Sequence, residues 1–337
     1  MAITRRDFLV RCGLGCGGVA WLSAARGHAA PAVARTDEPG YLALERSGEL
    51  ARREQALREI YEQRACCPRR CDKNRKPHEP PVCAYSQRLK VASAGPHFGE
   101  EPPLTGRRGS GTIFFSHCNL LCDYCQNWEL AHRGDGQFIE PDALADVMIA
   151  IQERGCHNIN LVTPSHVVQH VVRALRLAIP MGLRLPLVYN TGGYDRIEVI
   201  RLLAGVVDIY LPDFKYQDPK AAERYSLGAA DYPQVAAAAI AEMYRQVGRL
   251  RLDQNGIARR GLMIRHLVLP GNIAGTDRFV RWVASELSPD CYVNLMDQYR
   301  PAFRALQEPE LNRRITSQEW RQALAWARQA GLTRLEL

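Results

Sequence analysis

Several features that would assign this 337-residue chain to common protein classes are missing from it. It has no stable membrane span, because the apolar stretch from Val10 to Ala25 contains Arg11 and many glycines. Its basic residues are scattered, without the aromatic-interleaved stripe of single-stranded nucleic acid binders, which excludes a nucleic acid partner. It has no short internal repeat, and nothing from residue 110 onward is of low complexity. The 46% of hydrophobic residues can bury the core of one large domain with an extension, and the formal charge of +8 is interpreted as a solvated surface.

The part of the chain that follows residue 29 also lacks an even number of cysteines, which a complete set of disulfides would require. Of the 11 cysteines, two precede residue 30 and nine follow it. Nine thiols cannot all pair with one another, so a complete set of internal disulfides is excluded. Ligation of a metal cluster explains these cysteines better.

The most informative segment is the octet that runs from Cys118 to Cys125, with its middle thiol at Cys122. It directly follows the apolar run 111–115, which predicts a loop at the end of a strand. Iron–sulfur clusters are usually held by four cysteines, so three thiolates in a C-x3-C-x2-C loop leave one iron free to bind a small molecule. The alternative is a structural zinc knuckle, but zinc favours four closed ligands and paired C-x2-C units.

From residue 110 onward, apolar runs alternate with helical patterns. The predicted strands are 111–115, 157–162, 185–189, 206–211, 261–268 and 291–296. The predicted helices are 141–154, 166–179, 195–203, 232–247, 276–287 and 317–330. This alternation indicates an α/β fold with a parallel sheet. A partial (β/α)6 TIM-like barrel with an N-terminal Cys-rich extension fits the length.

The pattern divides the chain into three segments. Residues 1–29 are a targeting segment and residues 110–337 the core domain. Between them, residues 30–109 form an extension, with an Ala/Pro/Thr-rich linker over 30–45, a helix between 48 and 64, and a Cys-rich part. In a barrel of this kind, the chemistry belongs at the carboxyl ends of the strands. The unusual residues of the sequence follow the six predicted strands, which predicts one shared pocket.

From residue 66 onward, the chain resembles radical S-adenosylmethionine (SAM) proteins of the pyruvate formate-lyase activating enzyme-like subgroup. The resemblance rests on the cysteine octet with its aromatic Tyr124, on Gln126-Asn127, and on six further groups of residues. These are Cys67-Pro68-Arg69-Arg70-Cys71, His97-Phe98-Gly99-Glu100-Glu101, Asn158 to Pro164, Tyr189-Asn190-Thr191, Asp208 to Tyr216 and Arg265 to Gly271. The resemblance implies that Cys118, Cys122 and Cys125 hold a [4Fe–4S] cluster whose free iron binds SAM. One electron from that cluster would cleave SAM, and the resulting 5′-deoxyadenosyl radical would remove hydrogen from a substrate.

The resemblance also implies SAM contacts outside the three cysteines. Tyr124 would lie against the adenine, with core packing as the alternative. Lys215 would pair with SAM's carboxylate and Asp213 would orient it, with a surface ion pair as the alternative. The remaining candidates are Asn127, Thr163, Ser165, His166, Asn190 and Thr191.

Two of those candidate positions carry open alternatives. Relatives hold SAM's amino group with a Gly-Gly-Glu turn, where this chain has Thr163-Pro164-Ser165-His166. Hydroxyl or backbone oxygens would then supply the contact, and His166 could instead cap the following helix. Asn190 and Thr191 are candidates for the ribose hydroxyls, with turn formation as the alternative. Arg265 and His266 end a predicted strand near the pocket and are candidates for contact with the substrate. For His266, the alternative is a position in the core.

A second cysteine group precedes the octet and is predicted as a further metal site. Cys66, Cys67, Cys71 and Cys83 could hold an auxiliary Fe–S cluster or zinc. Relatives place a cysteine where this chain has Arg64, and adjacent cysteines seldom ligate one metal, so loss of the site is the alternative. Cys156 and Cys291 are interpreted as buried apolar residues.

The N-terminal segment predicts export. Thr4-Arg5-Arg6-Asp7-Phe8-Leu9 resembles a twin-arginine signal, and Gly27-His28-Ala29 offers a small-residue cleavage site. A periplasmic location is therefore expected, with a cytoplasmic one as the alternative. The expected partners are a low-potential donor of the flavodoxin or ferredoxin type and a substrate, either a glycine in a partner protein or a small molecule. The rival interpretation is an exported Fe–S electron carrier or metal-binding protein that does not cleave SAM.

Overall fold

The computed structural model describes residues 38–71, 83 and 88–337. The predicted twin-arginine segment lies outside these residues, as do the first part of the predicted linker and the chain between Cys71 and Cys83. Within the described residues, no helix is both long and apolar enough to cross a bilayer.

One sheet organises the described chain, and most of its strand pairs are parallel. Its order is β10-β9-β8-β6-β5-β4-β2-β1-β3, with β7 paired to β8. The strands are β1 Leu89–His97, β2 Ser110–Phe115, β3 Gln137–Ile139, β4 Ile159–Val162, β5 Leu187–Thr191, β6 Ile209–Pro212, β7 Arg251–Leu252, β8 Ala258–Leu267, β9 Tyr292–Met296 and β10 Arg334–Glu336. All six predicted strands are present as parallel neighbours in chain order, namely β2, β4, β5, β6, β8 and β9. The α/β fold with a mostly parallel sheet is confirmed, while the exact six-unit barrel stays a prediction.

Helices follow the strands as the sequence predicts. The α-helices are Gly40–Arg46, Glu49–Glu62, Pro102–Thr105, Pro141–Glu153, Val168–Ala178, Ile197–Leu202, Pro219–Tyr225, Tyr232–Val247, Thr276–Trp282 and Ser317–Gln329. A π-helical turn, Val283–Leu287, continues the helix Thr276–Trp282 and completes the predicted 276–287 element. Proline opens several of these helices because its fixed φ suits the first turn and its missing N–H costs nothing there.

Both faces of the sheet are buried, which explains why the central strands are apolar runs. Along β5, Val188 packs with Ile209 and Met263 on one face, whereas Tyr189 joins the larger helix-side core on the other. A strand that is covered on both sides is usually a nearly continuous apolar run rather than an alternating one. Because both faces of the sheet are covered, the residues that can contact a ligand lie at the ends of the strands.

Two differences from the sequence analysis concern the extension. Part of the predicted 30–45 linker is a helix, Gly40–Arg46, which is docked on the core by a hydrogen bond of 2.9 Å from the Tyr41 hydroxyl to the Leu185 carbonyl. The end of the extension, where no strand was predicted, contains β1, which pairs antiparallel with β2. The sequence did not predict this strand because it contains Gly95 and Pro96, and both residue types are depleted in strands. The sheet therefore continues across the predicted boundary at residue 110.

Candidate active site

A cavity of about 660 Å³ lies at the carboxyl ends of the parallel strands. It is large enough for a small-molecule site, for which roughly 300–1,000 Å³ is usual. Each of the six strands contributes residues at or just after its end: Cys118 follows β2, Thr163 β4, Asn190 and Thr191 end β5, Asp213 and Lys215 follow β6, Arg265 lies in β8, and Asp297 follows β9. The structure thus brings together residues that are up to 179 positions apart, from Cys118 to Asp297. Among the segments that follow the strands, Pro270-Gly271-Asn272 is different, because Gly271 and Asn272 line another cavity.

The three thiols of the octet all line this cavity. Burial raises the pKa of the Cys122 thiol to about 11, and the neighbouring Cys118 adds to the effect. Burial likewise raises the pKa of the Cys125 thiol to about 12, with Cys122 and Cys118 as the next causes. Cys122 and Cys125 are therefore neutral near pH 7, and a metal that takes them as thiolates must displace their protons.

The donor set fits a cluster with a free iron. The three thiols are near enough to affect one another electrostatically, and all nine described cysteines are free. In the described part of the chain, no three side chains of His, Cys, Asp or Glu converge on the position of a single metal ion. A [4Fe–4S] cluster does not require its thiolate ligands to converge on one point, because each of them binds a separate iron.

The octet is held by strained backbone and by contacts with neighbouring loops. His117 and Leu121 have φ values of 71° and 55°, which is uncommon for residues other than glycine. The Asp123 N–H donates to the Tyr225 carbonyl at 2.9 Å, and the Asn119 amide donates to the Tyr194 carbonyl at 2.7 Å. Such conformations persist only where the surroundings enforce them, and they concentrate at functional sites.

Arg69 is the main tie between the octet and the Cys-rich segment before it. Its guanidinium donates to the carbonyls of Asn119 at 2.8 Å and Leu120 at 3.1 Å. The same group donates to the carbonyls of Ser226 at 2.9 Å and Leu227 at 2.6 Å. One side chain with a five-donor fork can satisfy several carbonyls at once. Arg69 belongs to the motif Cys67-Pro68-Arg69-Arg70-Cys71, but the sequence did not predict it as a site residue.

Lys215 and Asp213 form an ion pair that faces the thiols. The ammonium lies 2.9 Å from Asp213 Oδ2, and both side chains are about one-fifth exposed, at 22% and 23%. Burial lowers the pKa of Lys215, but Asp213, Cys122 and Tyr232 together outweigh that effect, and the pKa lies well above its ordinary value. Gly193 permits the close approach of the β5 and β6 loops, because its φ is +79° and a Cβ there would meet the Asp213 carbonyl oxygen. The pair lines the cavity, so it is not a freely solvated surface pair.

The loops after β4 and β5 are joined below the cavity by a buried carboxylate. Asp195 accepts hydrogen bonds from Ser165 Oγ at 2.6 Å, Thr191 Oγ1 at 2.5 Å and the Tyr189 hydroxyl at 2.9 Å. Thr163 lines the cavity with a φ of 60°, an outlier for a β-branched residue. Asp195 therefore fixes the loops that carry Thr163, Asn190 and Thr191.

Four of the predicted SAM-binding residues differ in their relation to the cavity, since two of them line it and two do not. Ser165 and His166 do not line the cavity. His166 is buried, with its Nε2 2.8 Å from the Ser116 carbonyl oxygen, and burial lowers its pKa to about 4. Tyr124 lines the cavity but is only 5% exposed, and it packs edge-on against Tyr216 and Tyr299. Asn127 lines the cavity and is exposed.

The far wall of the cavity is built around Arg265. Its guanidinium contacts Glu100 at 2.5 Å and Glu101 at 2.6 Å, and the Asn294 amide donates to Glu101 at 2.8 Å. Burial raises the pKa of Glu101, but Arg265 and Asn294 outweigh it and hold that pKa below its usual range. The neighbouring His266 is a core residue, stacked on Phe279 at 4.1 Å and bonded through its ring nitrogens to Phe214 and Thr276.

Arg265→Leu is expected to lower the free energy of unfolding by about 3–5 kcal/mol, because it leaves the buried Glu101 without its cation. Urea denaturation at neutral pH measures this loss. The control is Arg281→Leu, since Arg281 is 63% exposed in its pair with Asp277 and such pairs contribute about 0–1 kcal/mol. Equal losses in the two variants would contradict the assignment of the far wall as a buried ion pair.

The second cysteine group is brought together by the structure. Cys66, Cys67, Cys71 and Cys83 are all buried. A hydrogen bond with Cys67, followed by burial, raises the pKa of Cys66, while burial and the charges of Cys67, Cys71 and then Cys118 raise that of Cys83. A second metal site stays a prediction. Cys156 and Cys291 are buried, at 2% and 1% exposure.

The sequence of this chain is similar to that of a known protein over most of its length. No protein-family model matches the chain. It is 30% identical over 248 residues to uncharacterized protein MJ0674 of Methanocaldococcus jannaschii, an alignment that covers 70% of this chain and 66% of that protein. The chain therefore spans just under two thirds of that relative's length.

Two solved structures share a general likeness with the fold. A radical SAM methyltransferase from Sphaerobacter thermophilus has a TM-score of 0.48 and 15% identity, over 67% of this chain and 65% of that one. TYW1 with a lysine-pyruvate adduct bound has a TM-score of 0.41 and 10% identity, over 66% of this chain and 74% of that one.

Proposed function

We propose that this protein is a radical SAM enzyme, which cleaves SAM reductively and abstracts hydrogen from a substrate. The observation that carries the proposal is the position of the three octet thiols. They line the same cavity as the residues at the ends of all six parallel strands, with the Lys215–Asp213 pair among them. A cluster of an electron carrier is usually held by four cysteines, whereas a cavity beside three thiols leaves room for a ligand at a free iron.

In this proposal, Cys118, Cys122 and Cys125 hold a [4Fe–4S] cluster, which supplies the electron for breaking a carbon–sulfur bond of SAM. Lys215 binds the carboxylate of SAM, because a compact ammonium suits a compact anion. Asp213 orients Lys215 and keeps it charged. Thr163, Asn190 and Thr191 offer oxygen and amide groups to the amino and ribose groups of SAM.

The nature of the substrate and the cellular setting are further parts of the proposal. A glycine in a partner protein is one substrate class and a small molecule the other. A flavodoxin- or ferredoxin-like protein supplies the electron. Export by the twin-arginine route, which carries folded proteins, would deliver the enzyme with its cluster to the periplasm.

The test is anaerobic reconstitution with iron and sulfide, followed by addition of dithionite and SAM. The expected result is 5′-deoxyadenosine and methionine in a one-to-one ratio, measured by chromatography. Omitting dithionite is expected to suppress both products. A protein that binds a cluster but yields no 5′-deoxyadenosine would be an electron carrier, and a protein that binds only zinc would overturn the proposal altogether.

A further inference from the structure

Ser226 is a buried hydroxyl that contacts a sulfur of the octet, although nothing in its sequence context marks it. It ends the helix Pro219–Tyr225 and is 0% exposed. Its Oγ donates to Cys122 Sγ at 3.2 Å. Within hydrogen-bonding distance for sulfur, this side chain therefore interacts directly with the middle thiol of the proposed cluster site.

A second hydroxyl, that of Tyr216, contacts Ser226. The Tyr216 hydroxyl lies 3.1 Å from Ser226 Oγ, and either oxygen could be the donor in that pair. Ser226 has a single hydroxyl proton, so when it donates to Cys122, Tyr216 is the donor in its pair with Ser226. The Tyr216 hydroxyl also lies 3.5 Å from the Tyr225 carbonyl oxygen, which is the longer of these two contacts. The result is a directed chain from Tyr216 through Ser226 to the sulfur, in which each bond polarises the next.

The position of Ser226 relative to the octet is fixed from two sides. Arg69 donates both to the Ser226 carbonyl, at 2.9 Å, and to the Asn119 carbonyl inside the octet, at 2.8 Å. The Tyr225 carbonyl, next in the chain, accepts the Asp123 N–H at 2.9 Å. The donor and the sulfur are thus held on one rigid framework, so the contact does not depend on a mobile loop.

A hydrogen bond to a ligand sulfur favours the more negative state of an iron–sulfur cluster, and such bonds are one of the factors that set its reduction potential. We propose that Ser226, oriented by Tyr216, is a positioning residue that donates to Cys122 and raises the reduction potential of the cluster held by the octet. This inference rests on the proposed function, because it needs a cluster on Cys122. Its consequence is that the cluster can be reduced by a weaker donor than it would otherwise require.

The test compares reconstituted wild-type protein with Ser226→Ala, Tyr216→Phe and Tyr299→Phe. Each cluster is titrated potentiometrically without SAM, and the reduced form is followed by electron paramagnetic resonance. Ser226→Ala is expected to lower the reduced-to-oxidised ratio at a fixed solution potential by about tenfold, equivalent to ~59 mV for one electron. Tyr216→Phe is expected to shift the potential in the same direction by less, because it weakens the Ser226 bond without removing it.

Tyr299→Phe is the matched control, since Tyr299 also packs against Tyr124 but its hydroxyl donates to the Leu311 carbonyl at 2.8 Å. Its potential is expected to equal that of the wild type. Unshifted potentials in both Ser226→Ala and Tyr216→Phe would overturn the inference, and so would an equal shift in Tyr299→Phe. If Ser226→Ala retains no cluster, the potential of Tyr216→Phe tests the inference by itself: a lowered potential supports it and an unshifted one overturns it. Wild-type protein that forms no cluster would instead refute the proposed function.

Discussion

Cys122→Ala is expected to abolish both the [4Fe–4S] cluster and the formation of 5′-deoxyadenosine. Cys122 is the middle thiol of the octet, is buried beside the cavity, and lies between Cys118 and Cys125 in the chain. With two thiols left, a second iron of the cluster loses its protein ligand and the cluster is no longer held. Iron and sulfide analysis after reconstitution measures the first loss, and chromatography of the reaction with dithionite and SAM measures the second.

The matched control for this variant is Cys156→Ala. Cys156 is a free, buried cysteine at 2% exposure that does not line the cavity. It is expected to keep its full iron content and activity, and to lose only about 1 kcal/mol of stability from the smaller side chain. Full iron content in Cys122→Ala, or the same loss of iron in Cys156→Ala, would show that the octet is not the cluster site.

The elements of the fold were largely predictable because the parallel strands and their helices have strong periodic patterns. The helix predicted over 232–247 is observed as Tyr232–Val247, and all six core strands are present. The antiparallel β1 could not be predicted in the same way. Its sequence contains glycine and proline, and it becomes a strand through its pairing with β2, a long-range contact that no local pattern encodes.

The site was predictable where its residues follow strands and less so where they come from elsewhere. Lys215 and Asp213 were identified from their place after β6, and the structure places both on the cavity. Ser226 and Arg69 reach the octet from a helix end and from the extension, so their roles depend on packing. Ser165 and His166 share the position after β4 with Thr163, but a turn at Thr163 directs only that residue to the cavity.

Lys215→Met is expected to weaken SAM binding roughly 10- to 150-fold, because a hydrogen bond to a charged group contributes about 1.5–3 kcal/mol. Methionine keeps the length of the side chain but removes the ammonium. The change also leaves Asp213 facing the cavity without its partner at 2.9 Å, so the anionic end of SAM would meet a carboxylate. Equilibrium dialysis of the reconstituted, oxidised protein with SAM measures affinity separately from cleavage.

Lys220→Met serves as the control, because Lys220 is exposed on the helix Pro219–Tyr225 and does not line the cavity. Its affinity for SAM is expected to equal that of the wild type. A double variant, Asp213→Asn with Lys215→Met, separates the two causes: it removes the repulsion but does not restore the ammonium. Partial recovery of affinity is therefore expected. Unchanged affinity in Lys215→Met would mean that another group binds the carboxylate, and it would remove Lys215 from the site as assigned.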